Sequence, residues 1–568
     1  MAQSGKHPKG LPYLFFTEMW ERFGYYLMLG IFVLYMIDVE KGGLSIADKA
    51  SYDIFGTFIA ITYLTPFLGG FLADKKLGYI SSVYIGGTLM GLGYMGLGIP
   101  GLEAFGISLS EEFIMTSFWI SMFLIVVGNG FFKPSISTIL GNLYSTPEFK
   151  EKKDWGYNLF YMGINIGAFL GPIFAAFMRN KYNWSASFLT AGIGMFVGLI
   201  VFTIGLKHIR PGERKPEEAA AGENKDSSLA QVLTYVFLPA IGAGLLGWFL
   251  PTAILGGTLM DSKSTDAFLF ASVPVIIFYV SLWVRAREGE KRPIAALLAI
   301  FAVSVVFWAV FKQNGTALTN WGKYYTDREV PAAVEGLSRS LYQVETMKSK
   351  PDSVTKFDEQ FRVVKENGNP VKTFGQNVYF RNLPPEKVPQ DGKPVYLIST
   401  ELFQSINPLW VVFLTPLVIA AFAWLRRRKK EPTTPGKIAI GLVISALSTL
   451  VMVWGVYASS NGEMKVSPLW LVGCYGVITV GELCLSPMGL SLVSKLSPPR
   501  FTALMMGGFF LSTSIGNKMS GVLAGMWYGY ENKANFFLVN CLLLLAAGFA
   551  AFLMLKWLNK VMEEKGLR

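Results

Sequence analysis

Residues 15–35 read FFTEMWERFGYYLMLGIFVLY, and the fold turns on how that run is understood. It is apolar and long enough as a helix to span a bilayer, yet Glu18, Glu21 and Arg22 occupy its first third. A charged side chain at the centre of a membrane helix costs roughly 2.5–3.5 kcal/mol on insertion scales, so such groups face a cavity or one another and mark a pathway. Glu18, Glu21, Arg22, Tyr25 and Tyr26 fall at i, i+3, i+4, i+7 and i+8, which sets two acids, one guanidinium and two phenols on one helical stripe. Charges snorkelling from a helix start at the water interface are the plainer alternative. Against it, Glu18 to Tyr26 covers more than two turns, and the apolar flank Leu11 to Phe16 lies outside it.

The composition agrees with a membrane solvent. Of 568 residues, 52% are hydrophobic and only 16% charged, too much apolar surface for an ordinary soluble protein. The net charge of +12 does not point to nucleic acid, because most Lys and Arg clusters sit in short segments between apolar runs, where the positive-inside bias accounts for them. Cys474, Cys484 and Cys541 lie in apolar helical stretches without ligand spacing and read as packing residues. The two histidines, His7 and His208, fall in a tail and a basic loop, so a proton carrier within the membrane must be a carboxylate or a shifted lysine. The short polar N-terminus is followed by no cleavage site, which predicts a retained first helix rather than a signal peptide.

Windows of apolar sequence predict about fourteen spans, among them 293–325 and 401–426. The basic segments fall on one side if both termini are cytoplasmic, which predicts a multi-pass protein of the cell (inner or plasma) membrane. The expected division is a six-helix bundle at 1–209, a cytoplasmic linker at 210–229 and an inserted helical pair at 230–292 whose role is packing. The first helix of a second bundle follows at 293–326, then an extracytoplasmic insertion at 327–400 and the rest of that bundle at 401–568. Within the insertion, Ala332 to Met347 shows helical periodicity, while Val363-Val364, Val378 to Phe380 and Val395 to Ile398 read as short strands of a small ordered cap.

Further motifs carry polar groups into the spans. Lys133 lies in Gly128-Asn129-Gly130-Phe131-Phe132-Lys133-Pro134, about a dozen residues from the next loop, although snorkelling remains open for it. Tyr161, Gly163, Asn165 and Gly167 lie in Phe160-Tyr161-Met162-Gly163-Ile164-Asn165-Ile166-Gly167, where the glycines suit close helix approach and the polar pair suits a cavity. Glu482 is a lone carboxylate in an apolar helix, and Pro487 is expected to loosen the backbone beside it. Lys518 is another lysine inside an apolar span, with cavity and outer interface both open for it.

Glu-x-x-Glu-Arg-Phe-x-Tyr-Tyr at 18–26, Phe-Tyr-x-x-Ile-Asn-x-Gly at 160–167, the Gly70 to Gly78 loop with Asp74, and Tyr63 and Asn407 in their local contexts resemble the proton-dependent oligopeptide transporter family, a branch of the major facilitator superfamily. The resemblance covers nearly all of the chain outside 327–400. It implies an all-α polytopic membrane protein of two six-helix bundles plus two inserted helices, importing di- and tripeptides with protons. It needs no cofactor beyond the proton gradient, and its partners are peptides, protons and the lipid bilayer; protein partners cannot be read. It further implies that Arg22 and Lys133 hold the peptide carboxylate and Glu482 the amino group. Glu18, Glu21, Arg22 and Lys133 couple the proton, and Tyr25, Tyr26, Tyr63, Tyr161, Asn165, Lys312 and Asn407 complete the cavity.

Two departures stand together. The family commonly has an arginine where this chain has Leu29, and a glutamate where it has Lys312 in Phe307-Trp308-Ala309-Val310-Phe311-Lys312-Gln313, so the salt-bridge gate those two form is absent. Gly56 replaces the second-helix histidine of animal members. Gating is therefore expected to use other contacts, and Lys312 to pair with a substrate carboxylate, pair with a first-helix glutamate, or act as a carrier. A relative specialised for nitrate or another small anion, a peptide facilitator with altered coupling, and a transport-dead sensor are the competing readings. An enzyme is disfavoured, since no nucleophile–base pair or metal cluster is found.

Overall fold

In a computed structural model of the chain, residues 7–213, 233–260, 262–389, 392–498 and 502–565 are described. Of the expected linker only 210–213 falls within them. Fourteen long helices carry the described fold: α1 (Leu11–Ile37), α2 (Asp48–Leu72), α3 (Tyr79–Leu97), α4 (Glu111–Leu143), α5 (Lys153–Lys181), α6 (Trp184–Ile209), α7 (Leu238–Leu255), α8 (Lys263–Val284), α9 (Glu288–Phe311), α10 (Ile406–Arg427), α11 (Thr434–Ala458), α12 (Leu469–Leu496), α13 (Thr502–Gly525) and α14 (Lys533–Glu564). Among the described residues ten helices are long and apolar enough to cross a membrane, or up to eleven if the bent pair Tyr79–Leu97 and Ile99–Phe105 forms one span. Ile254, Ile277, Phe413, Leu417 and Leu553 are exposed, as lipid-facing helix surface requires.

One set of pairings is used twice. In the first half α1 packs on α5 and α6, α3 on α4 and α6, and α2 on α4. In the second half α9 packs on α13 and α14, α11 on α12 and α14, and α10 on α12. Shifting each helix of the first set to its counterpart in the second reproduces all five contacts, so the two six-helix bundles are repeats of one unit. The halves meet through α2 with α13 and through α5 with α10, again equivalent pairs. The α7–α8 hairpin packs on itself and, through α8, on α2, α9 and α13.

Glycine sets the closest of these approaches. At Gly171 an added Cβ would lie 2.7 Å from the Leu27 nitrogen, and at Gly163 3.1 Å from Phe15, so α1 and α5 touch backbone to backbone along the face that begins at Gly163. Gly56 meets Gly521 in the same manner, its added Cβ falling 3.1 Å from the Gly521 Cα. A side chain the size of histidine at position 56 would force α2 and α13 apart.

The insertion folds over one end of the helices, the cap end; the opposite end holds the basic loops. Three antiparallel two-stranded ladders form it: β1 (Val344–Lys348) with β6 (Pro394–Ile398), β2 (Asp352–Thr355) with β5 (Lys372–Gly375), and β3 (Lys365–Glu366) with β4 (Asn369–Pro370). The strand expected at 395–398 is present. Three other expectations are corrected. The helix stops at Ser340, because Tyr342 turns the chain with φ 52° and Val344 to Lys348 enters β1. Val363 makes only an isolated bridge to Phe357, since the Asn367-Gly368 turn places the paired residues at 365–366. Val378 to Phe380 is a short 3₁₀ turn, because the Asn377 side chain accepts the Tyr379 N–H and bends the chain there.

Two span limits also move. The run expected to continue to 325 breaks after Phe311 into a 3₁₀ turn, Lys312–Gly315, and the short helix Ala317–Tyr324. The span expected from 401 begins with a 3₁₀ turn, Thr400–Ser405. The backbone around Glu482 is not loosened into a break: α12 runs continuously from Leu469 to Leu496.

The cap is fastened to the helices by a buried ion cluster. Arg179, at the end of α5, donates from Nε to Glu401 Oε1 at 2.8 Å and from Nη2 to Glu345 Oε1 of β1 at 2.6 Å. Arg328 Nη2 lies 3.6 Å from the other oxygen of Glu345. Burial would raise the Glu345 carboxyl, but Arg179 and then Arg328 outweigh it and hold it well below the usual carboxylate range. The resulting stabilisation is complete above the unfolded value near 4.5 and is lost as pH falls toward the folded value. Glu345→Gln is therefore expected to cost about 3 kcal/mol, the low end for breaking a buried pair because Glu401 still holds Arg179. The difference in thermal unfolding temperature between the two proteins should stay constant from about pH 8 to about pH 5 and shrink in stronger acid.

Candidate functional site

The charged stripe of α1 is an interior feature, not an interfacial one. Glu18, Glu21 and Arg22 are 2%, 0% and 4% exposed, which removes the snorkelling alternative. Burial of three charges is tolerable only because they meet each other: Arg22 Nε lies 3.2 Å from Glu18 Oε1 and 2.5 Å from Glu21 Oε2. The second contact is an ion pair without hydrogen-bond geometry, so both Glu21 oxygens, Glu18 Oε2 and Arg22 Nη2 are buried without a hydrogen-bond partner. Arg22 also stacks on Tyr25, its guanidinium carbon 5.3 Å from the ring centroid.

Lys133 joins this group from α4. It is half-buried, lies within electrostatic reach of Glu18, Glu21 and Arg22, and places its ammonium 4.7 Å from the centroid of Tyr63 on α2. Lys312 approaches the same ring from the second bundle, 5.8 Å from its centroid, with Trp308 and Phe311 at 5.8 Å and 5.6 Å. Tyr63 thus has an ammonium group from each bundle within 6 Å of its ring centroid. Among the described residues neither lysine has a carboxylate within 4 Å.

Glu482 faces this assembly from α12. Its Oε2 accepts from Asn407 Nδ2 of α10 at 3.1 Å, and Asn407 also donates to Thr479 Oγ1 at 2.8 Å. Lys312, Tyr26, Tyr63 and Tyr161 lie within electrostatic reach of the carboxylate. The residues singled out in sequence are therefore brought together between the bundles. Asn165 joins them through Tyr161: its Nδ2 donates to the Tyr161 carbonyl at 2.9 Å, and its side chain also reaches the Tyr161 phenol.

Sequence reasoning passed over several residues. Thr479 positions Asn407, and Gln404 ties the start of α10 to the break after α9 by donating to Asn314 O and Thr319 Oγ1. Asp53 on α2 binds Lys518 of α13, whose ammonium lies 2.5 Å from Asp53 Oδ1 and 2.7 Å from Thr57 Oγ1. Lys518 is fully buried between the bundles. The inserted hairpin does more than pack, since Ser262, Ser264 and Thr265 at the start of α8 all donate to Asp53. An acid and Thr57 four residues on, facing an intramembrane lysine, was the available signal.

Five side-chain bonds join the bundles between the cap end and mid-helix: Arg179 with Glu401, Asp53 with Lys518, Asn320 with Tyr52, Ser405 with the Phe169 carbonyl, and Ser514 with the Ala60 carbonyl. Tyr52, near the cap end, is 1% exposed, whereas Tyr161 is 48% exposed. A cysteine at 161 should react severalfold faster than one at 52 with a membrane-impermeant thiol reagent applied at the basic end. The native cysteines Cys474, Cys484 and Cys541 are buried and supply a quiet background.

Comparison with known proteins places these features in a family. The family model PTR2, described as the POT family, matches residues 81–338 and 391–538. The uncharacterized transporter YclF of Bacillus subtilis is 30% identical over 530 residues, covering 92% of this chain and 88% of its own. A di-/tripeptide transporter of Lactococcus lactis subsp. cremoris is 28% identical over 564 residues, 98% of this chain and 97% of its own. A peptide transporter POT solved in complex with sulfate superposes with a TM-score of 0.72 at 29% identity, covering 98% of this chain and 97% of that one. With its family match and its twice-used bundle, this chain belongs to the POT family and is a multi-pass membrane protein of the major facilitator superfamily fold.

Proposed function

We propose that the chain is a proton-coupled symporter that imports di- and tripeptides across the cell membrane by alternating access. Both termini are cytoplasmic. The observation that carries this reading is the division of charge across the cleft: Arg22 and Lys133 belong to the first bundle, Glu482 to the second, with tyrosines between them. A zwitterionic peptide has that charge pattern, its carboxylate meeting the cations and its ammonium meeting Glu482. Relatives described as di-/tripeptide transporters and dipeptide and tripeptide permeases support the substrate class.

Coupling follows from competition for one guanidinium. Glu18 and Glu21 share Arg22 in the empty cleft. A peptide carboxylate that takes Arg22 Nη2 weakens their hold on it, and a buried carboxylate with a weakened partner is stabilised by taking a proton. Proton and peptide therefore favour each other's binding. The peptide then bridges the bundles and favours their closure around it. Side-chain tolerance comes from Tyr25, Tyr26, Tyr63 and Trp308 around the space.

The reading is tested by uptake of labelled dialanine into proteoliposomes with an imposed inward proton gradient, compared with vesicles at equal pH. Accumulation above equilibrium is expected. Equilibration without accumulation would mean a facilitator, and absence of uptake would move the substrate to another small solute such as an anion. Glu21→Gln is expected to abolish gradient-driven accumulation while leaving exchange of labelled for unlabelled dialanine; accumulation that survives this change would remove Glu21 from the coupling.

A further inference from the structure

At the basic end α10 runs out through Arg426-Arg427-Arg428-Lys429-Lys430, and residues 426–437 hold six cations against one acid, Glu431. That acid is already shared. Arg426 donates to it from Nε at 2.6 Å and from Nη2 at 3.0 Å, and Lys437 Nζ lies 2.6 Å away. Arg427, Arg428, Lys429 and Lys430 are exposed, and their side chains make no hydrogen bond or ion pair with any described residue. Other basic segments at this end carry acids within the run, as Lys150 to Asp154 does with Glu151, and Arg285 to Arg292 with Glu288 and Glu290. The positive-inside bias asks only for nearby cations, not for a fixed arrangement of them.

Here the arrangement is fixed. Lys429 has φ 55°, and the N–H groups of Lys429 and Lys430 donate to the carbonyls of Arg426 and Leu425 at 2.9 Å each. This is a Schellman ending, whose left-handed position costs a lysine more than the usual glycine, and it folds the two lysines back over the helix end. Arg428 lies over the Trp424 ring, its guanidinium carbon 4.0 Å from the centroid. Phe413, Leu417, Trp424 and Arg428 follow one another at steps of four and seven and are all exposed, so they form one outward stripe of α10. Along that stripe come two apolar side chains, then an indole, then a guanidinium, which is the complement of acyl chain, ester region and phosphate.

We propose that this end of α10 is a binding site for an anionic phospholipid of the adjoining leaflet, with its acyl chains along Phe413 and Leu417 and its phosphate on Arg428, Lys429 and Lys430. A guanidinium held on a ring keeps its N–H edge for two phosphate oxygens. A zwitterionic headgroup brings its own cation into the same run and is disfavoured. The site lies outside the cleft and does not depend on the substrate. It reaches the cleft through its helix, since α10 packs on α5 across the seam between the bundles and carries Asn407, which holds Glu482.

The test is native mass spectrometry of the purified full-length protein titrated with phosphatidylglycerol or with phosphatidylcholine of the same acyl chains. Phosphatidylglycerol is expected to bind about tenfold more tightly. Replacing Arg428, Lys429 and Lys430 together by glutamine should bring the ratio to within about twofold while phosphatidylcholine binding stays unchanged, which shows that the variant is folded. Arg428→Lys keeps the charge but loses the stacked fork, and should lower the ratio about threefold. Lys556→Gln with Lys560→Gln, at the same end of α14, should leave the ratio as it is. Equal binding of the two lipids by the native protein, a preference that survives the triple change, or one lost equally in the α14 variant overturns the proposal. So does displacement of the lipid by soluble glycerol phosphate at equal concentration, which would make the run a general anion site.

Discussion

Three ionisable groups buried on one helix govern this molecule. Glu18, Glu21 and Arg22 are inside a protein that sits in hydrocarbon, where an unpaired charge is not tolerated. Their mutual pairing is what lets α1 span the membrane, and that pairing is incomplete. Two acids share one guanidinium, so hydrogen-bonding capacity remains on both sides of the pair. The rest of the fold holds that stripe against its neighbours. The glycine face of α5 brings it close to α1, α4 carries Lys133 to its edge, and the second bundle presents Lys312 and Glu482 across the cleft.

Closure at the cap end rests on the same physics of paired burial. Neither of its two ion clusters involves Leu29 or Lys312. Asp53 with Lys518 joins α2 to α13, and the start of α8 saturates the acid with hydroxyl donors. Arg179 joins α5 to Glu401 ahead of α10 and to Glu345 of the cap. These clusters lie on α2–α13 and α5–α10, the two symmetry-equivalent seams between the bundles. Opening this end requires both to separate, and each broken pair would leave charge in a dry interior at several kcal/mol. The inserted hairpin and the cap are therefore built into the closed end.

Much of this was legible in sequence because membranes make charge conspicuous. An acid or lysine inside an apolar helix is rare enough to be read as a site, and Glu18, Glu21, Arg22, Lys133, Lys312 and Glu482 were all found that way. Asp53 and Arg179 were not, because each lies near a helix end where a charge looks ordinary; only the packing of α2 on α13 and of the cap on α5 makes them interior. In the cap, Val363-Val364 and Val378 to Phe380 read as strands in sequence, but the Asn367-Gly368 turn and Asn377 decided the local backbone.

The central claim is that peptide and carboxylates compete for Arg22. It is tested most directly by counting protons taken up when dialanine binds the purified protein, from titrations in buffers of different ionisation enthalpy. The account predicts net proton uptake on binding, its disappearance when Glu18 and Glu21 are both replaced by glutamine, and none with the amide of dialanine, which lacks the carboxylate. Tight binding of dialanine with no proton uptake by the native protein would contradict it.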